Sequence, residues 1–205
     1  MGKRVKVDVS WRGDKPAYAF SPIDKELAER EKIPHGCVYL LALKPTGSLL
    51  RIRRVADDDT YPDCWSVPAG HMDVLKNGRY ESRKRAALRE LEEETNLKPL
   101  KPYAIAPVLE HEYILDKDKG HVGFAFVAAI GLGDRPKFNK EINKTDSGWA
   151  PPEMLRDSLE TQQWTPPCHR MVDGFLRKYN YNLSGELSNL YLSLLAGLPP
   201  RPSAP

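Results

Sequence analysis

Glu81-Ser-Arg-Lys-Arg-Ala-Ala-Leu-Arg89-Glu90-Leu91-Glu92-Glu93-Glu94-Thr95-Asn96-Leu97 is a charged run carrying an apolar stripe at helical spacing, and it sets the architecture expected of this 205-residue chain. A helix turns about 100° per residue, so Ala87, Leu88, Leu91 and Thr95 form one stripe. Glu90, Glu93 and Glu94 stand at i, i+3 and i+4 along the edge of that stripe, while Glu92 and Arg85 share the solvent side. Ser82 is placed to cap the first turn, and Asn96 to end the last. Like charges at this spacing destabilise a helix by about 0.2–0.5 kcal/mol per pair. A hard divalent cation would remove the repulsion, since magnesium takes one or two carboxylates together with waters and phosphate oxygens. A solvated acidic face, neutralised by Arg83 and Arg89, explains the same charges. The helix alone therefore assigns no function.

The flanking pattern supplies a sheet. Cys37–Lys44 and Ser48–Arg54 are strand-like runs joined by Pro45-Thr46-Gly47, a hairpin whose first strand is apolar enough to be buried on both faces. Asp57–Asp63 reads as a polar loop, and Trp65–Gly70 leads through a loop at His71–Tyr80 into the helix. Tyr103–Leu109 and Val122–Ile130 form a second strand pair, with Lys117-Asp118-Lys119-Gly120 as a turn between them. Gly131–Asp146 is a loop. Pro151–Ser158, Cys168–Lys178 and Leu187–Leu195 have helical periods. Ahead of all this, Val5–Val9 alternates like a short strand and Ile23–Lys32 suits a short charged helix. The expected fold is an α/β sandwich with a mixed sheet. The expected division is an N-terminal extension at 1–34, a domain at 35–180, and a last helix with a Pro-rich, disordered tail at 181–205.

The spacing across the helix and its approach resembles the Nudix box of the Nudix hydrolases, Gly-x5-Glu-x7-Arg-Glu-U-x-Glu-Glu-x-Gly-U, where U is a bulky aliphatic residue. Arg89, Glu90, Leu91, Glu93, Glu94 and Leu97 match position by position, as does Glu81. Trp65-Ser-Val-Pro-Ala-Gly70-His-Met-Asp73 is similar to the family's Trp-x-x-Pro-Gly-Gly-x-x-Glu approach. Glu141 followed by Trp149-Ala-Pro-Pro-Glu153-Met-Leu155 is similar to its late acidic-to-Trp-to-Leu segment. The resemblance covers roughly residues 36–158. Two departures stand out: ten residues separate Gly70 from Glu81 where the family has five, and Asn96 replaces the box glycine.

This resemblance implies a Nudix-type α/β/α sandwich with one catalytic helix, and magnesium-dependent hydrolysis of a phosphoanhydride bond. The substrate would be a nucleoside-diphosphate-linked compound: a nucleoside triphosphate, a dinucleoside polyphosphate or a nucleotide sugar. Glu90, Glu93 and Glu94 would ligate magnesium, with manganese as an alternative, and Glu110 or Glu112 would add a ligand or the base. Glu93 is the first choice of general base, Glu81 supports the metal site, and Arg89 holds a box carboxylate in place. Tyr113 stands near where diadenosine-polyphosphate members carry a Tyr. From the residues themselves, Trp65 and Tyr61 are candidates to stack on a base, although a Trp beside a strand is more often core. Arg51 and Arg53, alternating in a strand together with Arg54, are candidates to meet phosphates or to form a solvated face.

Two other readings stand beside hydrolysis. Tyr61-Pro62-Asp63-Cys64-Trp65 is similar to a phrase in the Nudix-fold isopentenyl-diphosphate isomerases, but Val67-Pro68-Ala69 departs from the Ser-His-Pro that follows there. A nucleotide-binding module without catalysis is the second, and such modules usually lose box glutamates that this chain keeps. In that case the extensions at both ends would serve a homodimer interface or a lid.

Bulk properties narrow the classes further. A net charge of +3 suits an anionic small molecule and falls short of the basic stripe of a specific nucleic-acid binder. No run approaches the roughly 20 apolar residues of a membrane span. Basic residues 1–6 are not followed by a signal-peptide core, so a cytoplasmic location is expected. Cys37, Cys64 and Cys168 are odd in number and far apart, which argues against disulfides, and no Cys/His spacing suggests zinc. His71, His111 and His121 carry no metal spacing and are expected to play ordinary polar roles.

Overall fold

The computed structural model describes residues 3–12, 15–58, 60–108, 114–116, 120–178 and 184–200. Its centre is β3 (His35–Leu43), in which every residue is buried. On one side β3 pairs in parallel with β9 (His121–Ala129), from His35 opposite His121 to Leu43 opposite Ala129. On the other it meets β4 (Leu49–Arg53) through the expected hairpin, and β6 (Ala69–His71) antiparallel. The short β5 (Trp65–Ser66) and β10 (Gly148–Ala150) pair with β4, and β7 (Ile105–Val108) and β8 (Ile114–Asp116) pair with β9. Parallel and antiparallel pairs thus share one mixed sheet.

Strand alternation divides the core between two faces. Val38, Leu40 and Ala42 point to the face covered by α2 (Arg83–Thr95), against Ala86, Ala87 and Leu91. Cys37, Tyr39, Leu41 and Leu43 point to the opposite face, under α3 (Pro152–Thr161), α4 (Pro166–Lys178) and α5 (Ser184–Leu195). Helices on both faces make this an α/β/α sandwich, as expected. Each fully buried leucine contributes about 1.5–3 kcal/mol, so the two faces of β3 anchor both layers.

Residues 3–34 do more than extend the domain. β1 (Lys3–Arg12) and β2 (Lys15–Asp24) pair along their whole length, and α1 (Lys25–Arg30) follows, capped by Asp24. The expected strand at Val5–Val9 is therefore the middle of a longer one. Its partner β2 carries no strand signal in the sequence, because Pro16 and Pro22 interrupt it. Val5 and Val7 are buried in the α2-side core, and the backbone N–H of Val5 and Val7 donate to Met72 and Pro34 carbonyls. β8 adds a short strand between the two expected ones. The tail beyond residue 200 lies outside the described residues.

Candidate active site

α2 is built as its sequence dictates. The Ser82 hydroxyl accepts from Arg85 N–H at 3.2 Å, and Asn96 ends the helix at φ 56°, the left-handed region that Asn tolerates next after Gly. The loop after β9 satisfies the last carbonyls: Lys137 and Asn139 N–H donate to Thr95 and Glu94 oxygens. Burial of Leu91 fixes the rotation of the helix, which sends Glu90 and Glu94 inward and leaves Glu93 at the surface.

Arg89 is the hub of the carboxylates. Its Nε and Nη2 grip the two oxygens of Glu81 at 3.1 and 3.0 Å. Nη1 reaches Glu90 at 2.6 Å and Glu93 at 3.0 Å, while Nη2 also donates to the His71 carbonyl at 2.7 Å. Burial works against this charge, yet the hydrogen bonds and field of Glu81 and Glu90 win, and the guanidinium is held charged more firmly than usual. Glu81 is only 2% exposed, so its pairing with Arg89 is what makes its burial tolerable.

Glu94 is the most buried of the three helix carboxylates. It accepts Ala69 N–H at 3.1 Å and lies 3.5 Å from Arg54, which is itself bound to Asp58 at 2.8 Å. Burial outweighs the help from Arg54 and pushes the Glu94 carboxyl up to about 8. Glu90 is raised too, again by burial, against the pull of Arg89. A site that raises two neighbouring carboxyls is short of positive charge. Glu92 faces solvent and pairs with Lys98.

Gly70 is required by close approach: a Cβ there would overlap the Glu90 carboxylate. The long Gly70–Glu81 connection folds back on itself. Val74 bridges Tyr80, Leu75 N–H donates to Arg79 O, and Gly78 turns the chain at φ 76°. Glu81 N–H then donates to Asp73 O, so the extra residues leave the two ends of the connection together.

The carboxylates open onto a cavity of roughly 590 Å³ lined by Glu90, Glu93 and Glu94 on one wall and by Tyr39, Tyr61 and Arg54 among others. Arg51, Arg53 and Trp65 lie elsewhere. The Arg51 guanidinium stacks 4.0 Å over the Trp65 ring, Arg53 pairs with Asp63 and Asp146, and these residues line a separate depression. Alternation is the reason: Arg51 and Arg53 share a face of β4, and Arg54, one step on, reaches the cavity. Glu110, His111, Glu112 and Tyr113 lie outside the described residues.

One group of histidines is brought together in a way that spacing along the sequence did not show. His35, Cys37, His71 and His121 come together, with one ligand atom from each within 4.8 Å of every other. Burial lowers the His35 and His71 pKa values, that of His71 well below 6.5, and so keeps their rings neutral. The only local signal was His35 and Cys37 two apart on one strand, and the other two members arrive from distant strands.

Comparison with known proteins gives a family and a fold. Residues 34–170 match the family model for the NUDIX domain. Among solved structures, one similar in fold is the MutT protein from Methanosarcina mazei Go1, at TM-score 0.51 and 22% identity over 69% of this chain and 92% of that one. Another is DR0079 from Deinococcus radiodurans, at 0.51 and 18% over 70% and 83%. A third is a bifunctional NMN adenylyltransferase/ADP ribose pyrophosphatase from Francisella tularensis, at 0.51 and 17% over 72% and 42%. No curated protein matches the chain.

Proposed function

This chain belongs to the NUDIX domain family, the Nudix hydrolases, and from that premise we propose that it hydrolyses a phosphoanhydride bond in a nucleoside-diphosphate-linked substrate, using magnesium held by Glu90, Glu93 and Glu94. The observation that carries the reading is the set of three carboxylates on one helix, at the wall of a cavity, with Glu90 and Glu93 gripped by Arg89 and Glu94 beside Arg54. The donors fit the ion: all are carboxylate oxygens, two are raised by burial, and the missing Cβ of Gly70 is what gives the Glu90 carboxylate its place. Manganese suits the same oxygens. When bound, the cation supplies charge neutralisation at the phosphate oxygens and lowers the pKa of a water.

The remaining roles fall to the protein. Arg89 holds Glu90 and Glu93 in one arrangement, so that no reorganisation is needed as charge develops. Glu81, buried behind Arg89, fixes the guanidinium in turn and acts through it. Glu93, with its side chain 56% exposed, is the box carboxylate that solvent reaches, and we assign it the proton of the attacking water. Tyr61, at the cavity wall, is better placed to meet a base than Trp65, whose ring is covered by Arg51.

The test is a magnesium-dependent screen of nucleoside-diphosphate derivatives with products identified by mass, run with wild type and Glu93→Gln. Magnesium-dependent phosphate release that disappears in the variant, with the fold intact, supports the reading. Equilibrium nucleotide binding without turnover in wild type would sink it.

A further inference from the structure

The histidine–cysteine cluster is a product of strand register. His35 and Cys37 are two apart on β3 and share a face. β9 sets His121 opposite His35, and β6 sets His71 opposite Cys37. Partners in register point to the same side of a sheet, so four donors from three strands converge on one spot. Cys37, His71 and His121 also line the cavity described above.

One pair of donors has the spacing of a tetrahedral ion's ligands, and all four lie within 4.8 Å of one another. The Nε2 atoms of His71 and His121 are 3.4 Å apart. Zinc bonds imidazole nitrogen at about 2.0–2.1 Å, and tetrahedral angles then separate two such nitrogens by about 3.3–3.4 Å. A hydrogen bond between two neutral rings accounts for that pair equally well, but it does not account for His35. There, Nδ1 lies 2.7 Å from the Ile33 carbonyl, which fixes the proton on Nδ1 and the lone pair on Nε2. That Nε2 is buried with no hydrogen-bond partner, in a residue that is 0% exposed. A ring tied to a carbonyl through one nitrogen and left unpartnered at the other is oriented as a metal ligand.

We propose that His35, Cys37, His71 and His121 form a second metal centre, for zinc or a similar borderline-soft divalent ion, distinct from the carboxylate site. Three imidazoles and a thiol suit such an ion, whereas the α2 carboxylates suit a hard one. On binding, the Cys37 sulfur forms the bond to the metal and its proton leaves to solvent. Arg4, and more weakly Lys25, are charges that oppose a cation here, and Arg4 is offset by Asp73 at 2.6 Å and Glu29 at 3.8 Å. The donor atoms all lie within 4.8 Å of one another, close enough for a single ion to reach all four. The centre would fasten β3, β6 and β9, and through the His71 carbonyl it would steady Arg89.

The test is titration of the chelator-stripped full chain with Co2+ in saturating Mg2+, read by absorption. The expected result is one equivalent bound, with the intense visible bands of a tetrahedral site and a thiolate-to-cobalt band in the near ultraviolet, both displaced by Zn2+ and not by Mg2+. Cys37→Ser removes the thiolate band, His121→Gln weakens binding by more than about tenfold, and Glu93→Gln leaves both unchanged. A weak octahedral spectrum that Mg2+ or Glu93→Gln abolishes overturns the proposal, as does a wild-type spectrum without the thiolate band. So does a cluster whose histidine resonances respond to inorganic phosphate and not to Zn2+. The wild-type titration decides the matter even where a variant fails to fold.

Discussion

The cavity has a carboxylate side built from one helix and a histidine side built from three strands, and the two differ in what holds them. Glu90, Glu93 and Glu94 are neighbours in sequence and share one rotation of α2, the first two restrained by Arg89 and the third by Ala69 N–H and Arg54. His35, Cys37, His71 and His121 owe their meeting to the register of β6 and β9 on β3, where a slip of one residue would turn each donor to the other face. Local geometry suffices for the first group, and only the completed sheet produces the second.

Four measurements would break or sharpen that contrast. The largest effect is expected from Glu93→Gln, which should lower turnover by about 10²–10⁴-fold, measured as magnesium-dependent product release, and leave stability near wild type. Arg89→Ala should affect both sides, because Arg89 also holds the His71 carbonyl. It strands the buried Glu81 and should cost about 3 kcal/mol in denaturant unfolding. Arg89→Lys should not restore this, since an ammonium cannot reproduce the fork on Glu81. If only the carboxylate side responds, the two walls are independent.

The third effect is pH-dependent. Because burial pushes Glu94 up to about 8, magnesium must displace its proton at lower pH. Affinity should therefore rise with pH, by up to about tenfold per unit below 8, and level off above it. Calorimetry in buffers of different ionisation heat would report the released proton, and Glu94→Gln should flatten the profile. The smallest effect is expected from Ser82→Ala, which removes the α2 cap and should cost about 1 kcal/mol in thermal unfolding without disturbing the histidines.

The same contrast explains what could be read from sequence. The cap at Ser82, the left-handed end at Asn96 and the shared face of the three glutamates follow from helical period, and the double burial of β3 follows from its unbroken apolar run. Arg54 at the cavity and Arg51 stacked on Trp65 depend on which side of β4 faces the cleft, and alternation alone leaves that choice open. The burial of Glu94, and with it the raised carboxyl, depends on Ala69 and Arg54 arriving from elsewhere. The place of Val5 and Val7 in the core required β2 to be recognised behind its prolines.

The parallel pairing of β3 with β9 also sets an order of events. Residues 35–43 are made as a largely apolar strand, and their partner at 121–129 follows only after α2 and β7 have been made. Contacts so distant along the chain close slowly and leave the waiting strand exposed. Fragments that end before β9 should therefore be sticky and insoluble, and the nascent chain a natural client for chaperones until its ninth strand docks.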